Sequence, residues 1–157
     1  MKNKVARTGL ASIFAAALMV SMAATAQAEG VSCSVAGAAG TYGDSDSGTI
    51  VGIGPRAAVA LVTFDAEGNI KGKVTASLNG SVSNTTLSGT YSVNPDCTGT
   101  TTFGEYDESG NLLLSATVAL VWDAEMREIR FLFTSAVLSD GKSLAAVING
   151  DARKLGR

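Results

Sequence analysis

The chain has 157 residues, 46% of them hydrophobic and 17% charged, with a formal net charge of −2 and no histidine. The length allows about one globular domain, and the apolar fraction is too high for a disordered chain. The absence of histidine excludes the Ser-His-Asp triad, Cys-His nucleophiles and imidazole metal sites, and with them the commonest general base.

In chain order, residues 1–28 come first and have the three-part anatomy of a secretory signal peptide. Lys2, Lys4 and Arg7 make a positive start, an apolar run extends from about Leu10 to Met22, and Ala26-Gln27-Ala28 supplies the small residues of a cleavage site. The run is short for a membrane span of about 20 apolar residues, so no stable membrane insertion is expected after cleavage. The expected mature domain, residues 29–157, keeps nine basic and fourteen acidic residues, a net charge of −5. That balance, without a basic cluster, disfavours nucleic acid as a partner. The protein is expected to be exported, to the periplasm or beyond the cell. In such an oxidising place its only two cysteines, Cys33 and Cys97, most simply form one disulfide.

The mature part reads as short strands separated by turns. Eight strands are expected at about 35–43, 57–64, 69–78, 84–93, 97–105, 111–122, 127–136 and 143–153. Between them lie turn signals such as Asp65-Ala66-Glu67-Gly68-Asn69, Asn79-Gly80, Asn94-Pro95-Asp96 and Asp107-Glu108-Ser109-Gly110-Asn111. Pro55 and Pro95 fall in expected loops, and the one long connection spans about Asp44 to Arg56. Residues 57–64 are apolar on both faces, which predicts cover on both sides. Alternation is clearest late: Leu112, Leu114, Ala116, Val118, Leu120 and Trp122 share one face, as do Ile129, Phe131 and Phe133, and Leu144, Ala146 and Ile148. Short links make consecutive strands antiparallel neighbours, and closure removes the exposed edges. The predicted fold is therefore all-β, an eight-stranded antiparallel up-and-down barrel.

The segment Gly89-Thr90-Tyr91-Ser92-Val93-Asn94-Pro95-Asp96-Cys97-Thr98-Gly99-Thr100, with the Asp65–Asn69 turn and Ile70-Lys71-Gly72 after it, resembles small exported bacterial proteins of unassigned function. Their barrels are similar to the calycin and allene oxide cyclase-like folds. The resemblance spans roughly residues 37–153 and implies a calycin-like barrel. None of the cyclase's binding or catalytic residues matches a position in this chain, so none is carried over.

Few motifs carry chemistry. Asp44-Ser45-Asp46-Ser47-Gly48 begins like an oxygen-rich calcium loop, but Gly48 and Pro55 stand where that loop needs ligands, and a flexible polar loop is expected instead. Glu105, Asp107 and Glu108 surround a turn, where solvated carboxylates are commoner than a glycosidase pair. No metal and no cofactor is called for. The expected lumen is lined by Phe64, Tyr91, Phe103, Leu114, Val118, Trp122, Phe131, Phe133 and Ile148, with small residues such as Ala58, Ala60, Ala116, Ala146 and Gly89 between them. An eight-stranded barrel is either filled by its own side chains or wide enough for one small ligand. Small inward residues favour a binding module for a small apolar ligand. A packed structural protein acting through its outer face, or through contact with a second copy, is the alternative. A cyclase- or isomerase-like enzyme is the third reading, and it needs a carboxylate or tyrosine in the lumen, with Tyr91 and Glu105 as candidates.

Overall fold

A computed structural model describes residues 32–156; the expected signal peptide, residues 1–28, lies outside the described residues. Eight strands follow a four-residue helix, α1 (Val35–Ala38): β1 (Gly40–Ile50), β2 (Gly54–Phe64), β3 (Asn69–Leu78), β4 (Ser81–Val93), β5 (Thr98–Tyr106), β6 (Leu112–Trp122), β7 (Glu128–Leu138) and β8 (Ala146–Lys154). They pair antiparallel in sequence order, and β8 returns to β1 to close the barrel.

The turns hold because their side chains bond their own backbone. Asp65 Oδ1 accepts from the Glu67 and Asn69 amides at 3.0 and 2.7 Å, and its Oδ2 accepts from Asn69 Nδ2 at 2.8 Å. Asp107 repeats the set with Ser109 and Asn111 at 2.9, 2.8 and 2.9 Å, so the recurrence of Asp-x-x-Gly-Asn is a recurrence of hydrogen bonds. These bonds stabilise the charged form and hold both aspartates below the usual carboxylate range.

The first hairpin departs from expectation. Val35–Ala38 is helical, capped by Ser34 Oγ accepting from the Gly37 amide at 3.1 Å, where a strand was expected from residue 35. The expected long connection from Asp44 to Arg56 is instead the body of β1 and the start of β2, joined by a turn over residues 51–53. Pro55 lies in β2, opposite Thr49, and its carbonyl accepts from the Asn79 amide at 2.8 Å. The polar run had no apolar alternation because Asp44 and Asp46 face the lumen while Ser45 and Ser47 face solvent. The expectation that residues 57–64 are covered on both faces also fails: Val59 and Leu61 are 60% and 51% exposed on the outer wall. β8 begins at Ala146, later than expected; before it, Ser143 makes an isolated bridge to Val137, the Leu144 amide donates to the Ala136 carbonyl at 2.8 Å, and the Ala145 carbonyl accepts from the Val51 amide at 2.8 Å.

One end of the barrel is closed by side chains. Phe64 meets Tyr42, Tyr91 and Trp122 edge-on, with ring centroids 5.2, 4.8 and 6.5 Å apart. The Tyr42 hydroxyl lies 2.8 Å from the Ala38 carbonyl and 3.0 Å from that of Met126, and donates its single proton to this pair. The Tyr91 hydroxyl lies between the carbonyls of Val35 and Asp65 and donates its single proton to this pair, which ties α1 to the barrel. Burial pushes both phenols up to about 12. The Cys33–Cys97 disulfide, with Cα atoms 4.9 Å apart, pins the segment before α1 to the start of β5, as the cysteine count predicts. A disulfide is consistent with an oxidising compartment.

Candidate functional site

Three large rings lie where the barrel wall carries glycine. Gly89 pairs with Phe103, Gly150 with Phe131, and a Cβ on Gly99 would stand 2.6 Å from the Trp122 ring. The small inward residues of the sequence therefore do not all leave empty space, because rings from neighbouring strands occupy part of it. What remains is a cavity of about 50 Å³ in the lumen. At roughly 10–15 Å³ for each water centre, it holds about four waters or a molecule of a few heavy atoms.

Phe64, Phe103, Val118, Phe131 and Phe133 line this cavity. Tyr91 and Trp122 do not. They belong to the closed end, where each packs on Phe64. Leu114 and Ile148 face inward on β6 and β8 but stand away from the cavity, Ile148 opposite Gly48 and Leu114 opposite Glu105. A bulge in β7 limits the run of inward rings. Thr117 pairs with Ser135 and Val118 with Phe133, so Thr134 is extra, and the inward phase passes from Phe133 to Ala136.

The lumen also holds a polar cluster that sequence reasoning largely missed. Asp44, Asp46, Arg56 and Glu105 all line the cavity. Asp46 and Arg56 form an ion pair with side chains 6% and 11% exposed, and the Arg56 guanidinium lies 5.8 Å from the Phe133 ring centroid, within cation–π range. Glu105 accepts from Thr85 Oγ1 at 2.6 Å. Asp44 has no such partner: its Oδ1 is buried and accepts no hydrogen bond from the protein. Burial, then the neighbouring Asp46, pushes the Asp44 carboxyl up to about 7, against a smaller opposing pull from Arg56.

Glu105 was legible as a lumen candidate because it falls in phase with Phe103. Asp107 and Glu108 do not join it: Asp107 holds the turn described above, and Glu108 is exposed on that turn. Among the described residues no group of three or more acidic or cysteine side chains is placed to hold a metal ion, and no helix is long and apolar enough to cross a membrane.

No protein-family model matches the chain, and no curated protein sequence matches it. Two solved structures are similar in outline. One is a redesigned β-barrel, 11% identical, over 78% of this chain and 96% of that one, with a TM-score of 0.48. The other is the S-type phycobiliprotein lyase CPES from Guillardia theta, 12% identical, over 78% of this chain and 91% of that one, with a TM-score of 0.43. At these scores the likeness carries no argument, and the barrel rests on its own strand pairing.

Proposed function

We propose that the protein is an exported binding module that holds one small, mainly apolar molecule in its barrel. The observation that carries this reading is the lumen cavity, walled by Phe103, Val118, Phe131 and Phe133 and bordered by a buried carboxyl oxygen without a partner. Apolar walls with a few convergent polar groups are the usual composition of a small-molecule site. Native mass spectrometry of the protein, isolated from its own cell without denaturation, tests it. A mass above that of the disulfide-bonded chain, lost after Phe131→Ala, supports the reading and identifies the ligand. A bare mass, together with no uptake of small lipophilic probes by the folded protein, refutes it and favours the packed structural reading. The same spectrum reports whether two copies associate.

Asp44 favours one second reading, an isomerase- or cyclase-type proton transfer on an apolar substrate. A carboxyl held near neutrality in an apolar pocket both gives and takes a proton at physiological pH. Turnover predicts that Asp44→Asn traps a ligand of different structure from the one bound by the unaltered protein. The same ligand in both sinks it.

A further inference from the structure

We infer that the lumen selects a small amine, a ligand with one cationic nitrogen on a short apolar body, with its ammonium group seated at Asp44 Oδ1. This rests on the reading of the lumen as a ligand site and names what the site takes.

The other polar groups of the lumen are already engaged. Asp46 is held by Arg56, and Glu105 by Thr85. Asp44 Oδ1 alone among the lumen's carboxyl oxygens is buried without a hydrogen bond from the protein. A buried acceptor left unpaired costs free energy that a donor from a ligand returns. The sign of the ligand follows from the count of charges. Three carboxyl groups, Asp44, Asp46 and Glu105, share the cavity with one guanidinium, Arg56. An anion would add to the excess, a neutral donor would leave it, and a cation reduces it. The walls are suited to a cation as well, since the guanidinium already stands over Phe133, and Phe103 packs edge-on to that ring with centroids 6.2 Å apart. The cavity of about 50 Å³ limits the body to a few carbon atoms.

The charged groups that act on Asp44 are Asp46 on its own strand, Arg56 on β2 and Asp151 on β8, and Glu105 shares the cavity from β5. Asp44 must be ionised to receive an ammonium group. With its carboxyl at about 7, the ionised fraction rises about tenfold between pH 6 and pH 8, while an alkylamine, with a value near that of lysine at about 10.4, stays cationic throughout.

Calorimetric titration of the disulfide-bonded protein with n-butylammonium chloride, n-butanol and sodium butyrate tests this at pH 6 and pH 8. The expected result is that butylammonium binds best, about tenfold more tightly at pH 8 than at pH 6, and that Asp44→Asn removes this preference while still binding butanol. Retained butanol binding shows that the variant's lumen is intact. Butanol bound as tightly as butylammonium, or butylammonium binding unchanged by Asp44→Asn, overturns the amine inference and leaves the lumen site standing. No binding of any of the three probes at either pH overturns both.

Discussion

Replacing Asp44 by Asn should flatten the dependence of stability on pH. The folded protein holds this carboxyl at about 7, raised from an ordinary value of 3.8. Below about pH 4 both folded and unfolded chains carry the proton, and the site is neutral to stability. Between there and pH 7 the folded chain keeps a proton that the unfolded chain has lost, so stability falls as pH rises. Above 7 both are ionised and the cost is constant. Three pK units at 1.36 kcal/mol each make that full cost roughly 4 kcal/mol, of which about 2.5 kcal/mol falls between pH 5 and pH 8. Asn cannot ionise, so the variant should lose about 2.5 kcal/mol less than the unaltered protein over that interval. Urea denaturation with the disulfide intact reads it. With a slope of about 2 kcal/mol per molar, the difference between the two midpoints should change by about 1 M between the two pH values. The exposed turn carboxylates Asp65, Asp96 and Asp107 have the opposite sign, since their lowered values give stability that is lost on acidification. They are common to both proteins and cancel in the comparison. Two pH profiles parallel to within about 0.5 kcal/mol would refute the reasoning, because Asp44 would then titrate alike in the folded and unfolded chains.

Cys33→Ser with Cys97→Ser should lower stability by roughly 4 kcal/mol, the chain-entropy value for a loop closed across 64 positions, read as a drop in urea midpoint against the oxidised protein. Gly89→Ala should cost about 3 kcal/mol, because the new methyl overlaps the Thr102 carbonyl and Phe103 Cα across the β4–β5 pair, and thermal unfolding checks it. Thr85→Val should cost about 1–3 kcal/mol at pH 8, since it leaves Glu105 buried without its hydrogen bond, and an unchanged urea midpoint would contradict that. Trp122→Ala should destabilise by about 3–5 kcal/mol through a void at the closed end, whereas Phe133→Ala should alter probe binding in the lumen directly, a contrast that calorimetry on both folded variants would show.

The architecture was legible because most of the wall obeys one rule. β6 alternates from Leu114 to Trp122, and β4 alternates from Leu87 to Tyr91 with Ser88 and Thr90 outward, so period-two patterning placed them inside or outside the barrel. The turn residues marked the connections for the reason the hydrogen bonds show: Asp65 and Asp107 each gather several donors from the residues that follow. Phase alone does not report depth along the axis. Trp122, Tyr91 and Phe133 are equally inward, yet Trp122 and Tyr91 seal an end while Phe133 borders the cavity. Nor does phase reveal the bulge at Thr134, which ends the inward run of rings.

The polar cluster was hidden for a different reason. Hydrophobic alternation identifies a strand only when its buried face is apolar, and β1 carries Asp44 and Asp46 on that face. Such a strand reads as a loop, and the residues that distinguish this lumen from a plain packed core are the ones the pattern discards. A signal was present nonetheless. Asp-Ser-Asp-Ser alternates with period two, and Arg56 stands an even number of residues before inward Ala58 and Val62, which fixes its phase on β2. Closure makes that phase decisive: in a barrel every inward residue on β1 must face a shared interior, so an aspartate on β1 needs either a cation from elsewhere in the wall or a retained proton. Arg56 on β2 answers one of them. The other, Asp44, is left with a buried oxygen that no residue of the wall engages, and that shortfall is where a ligand has something to supply.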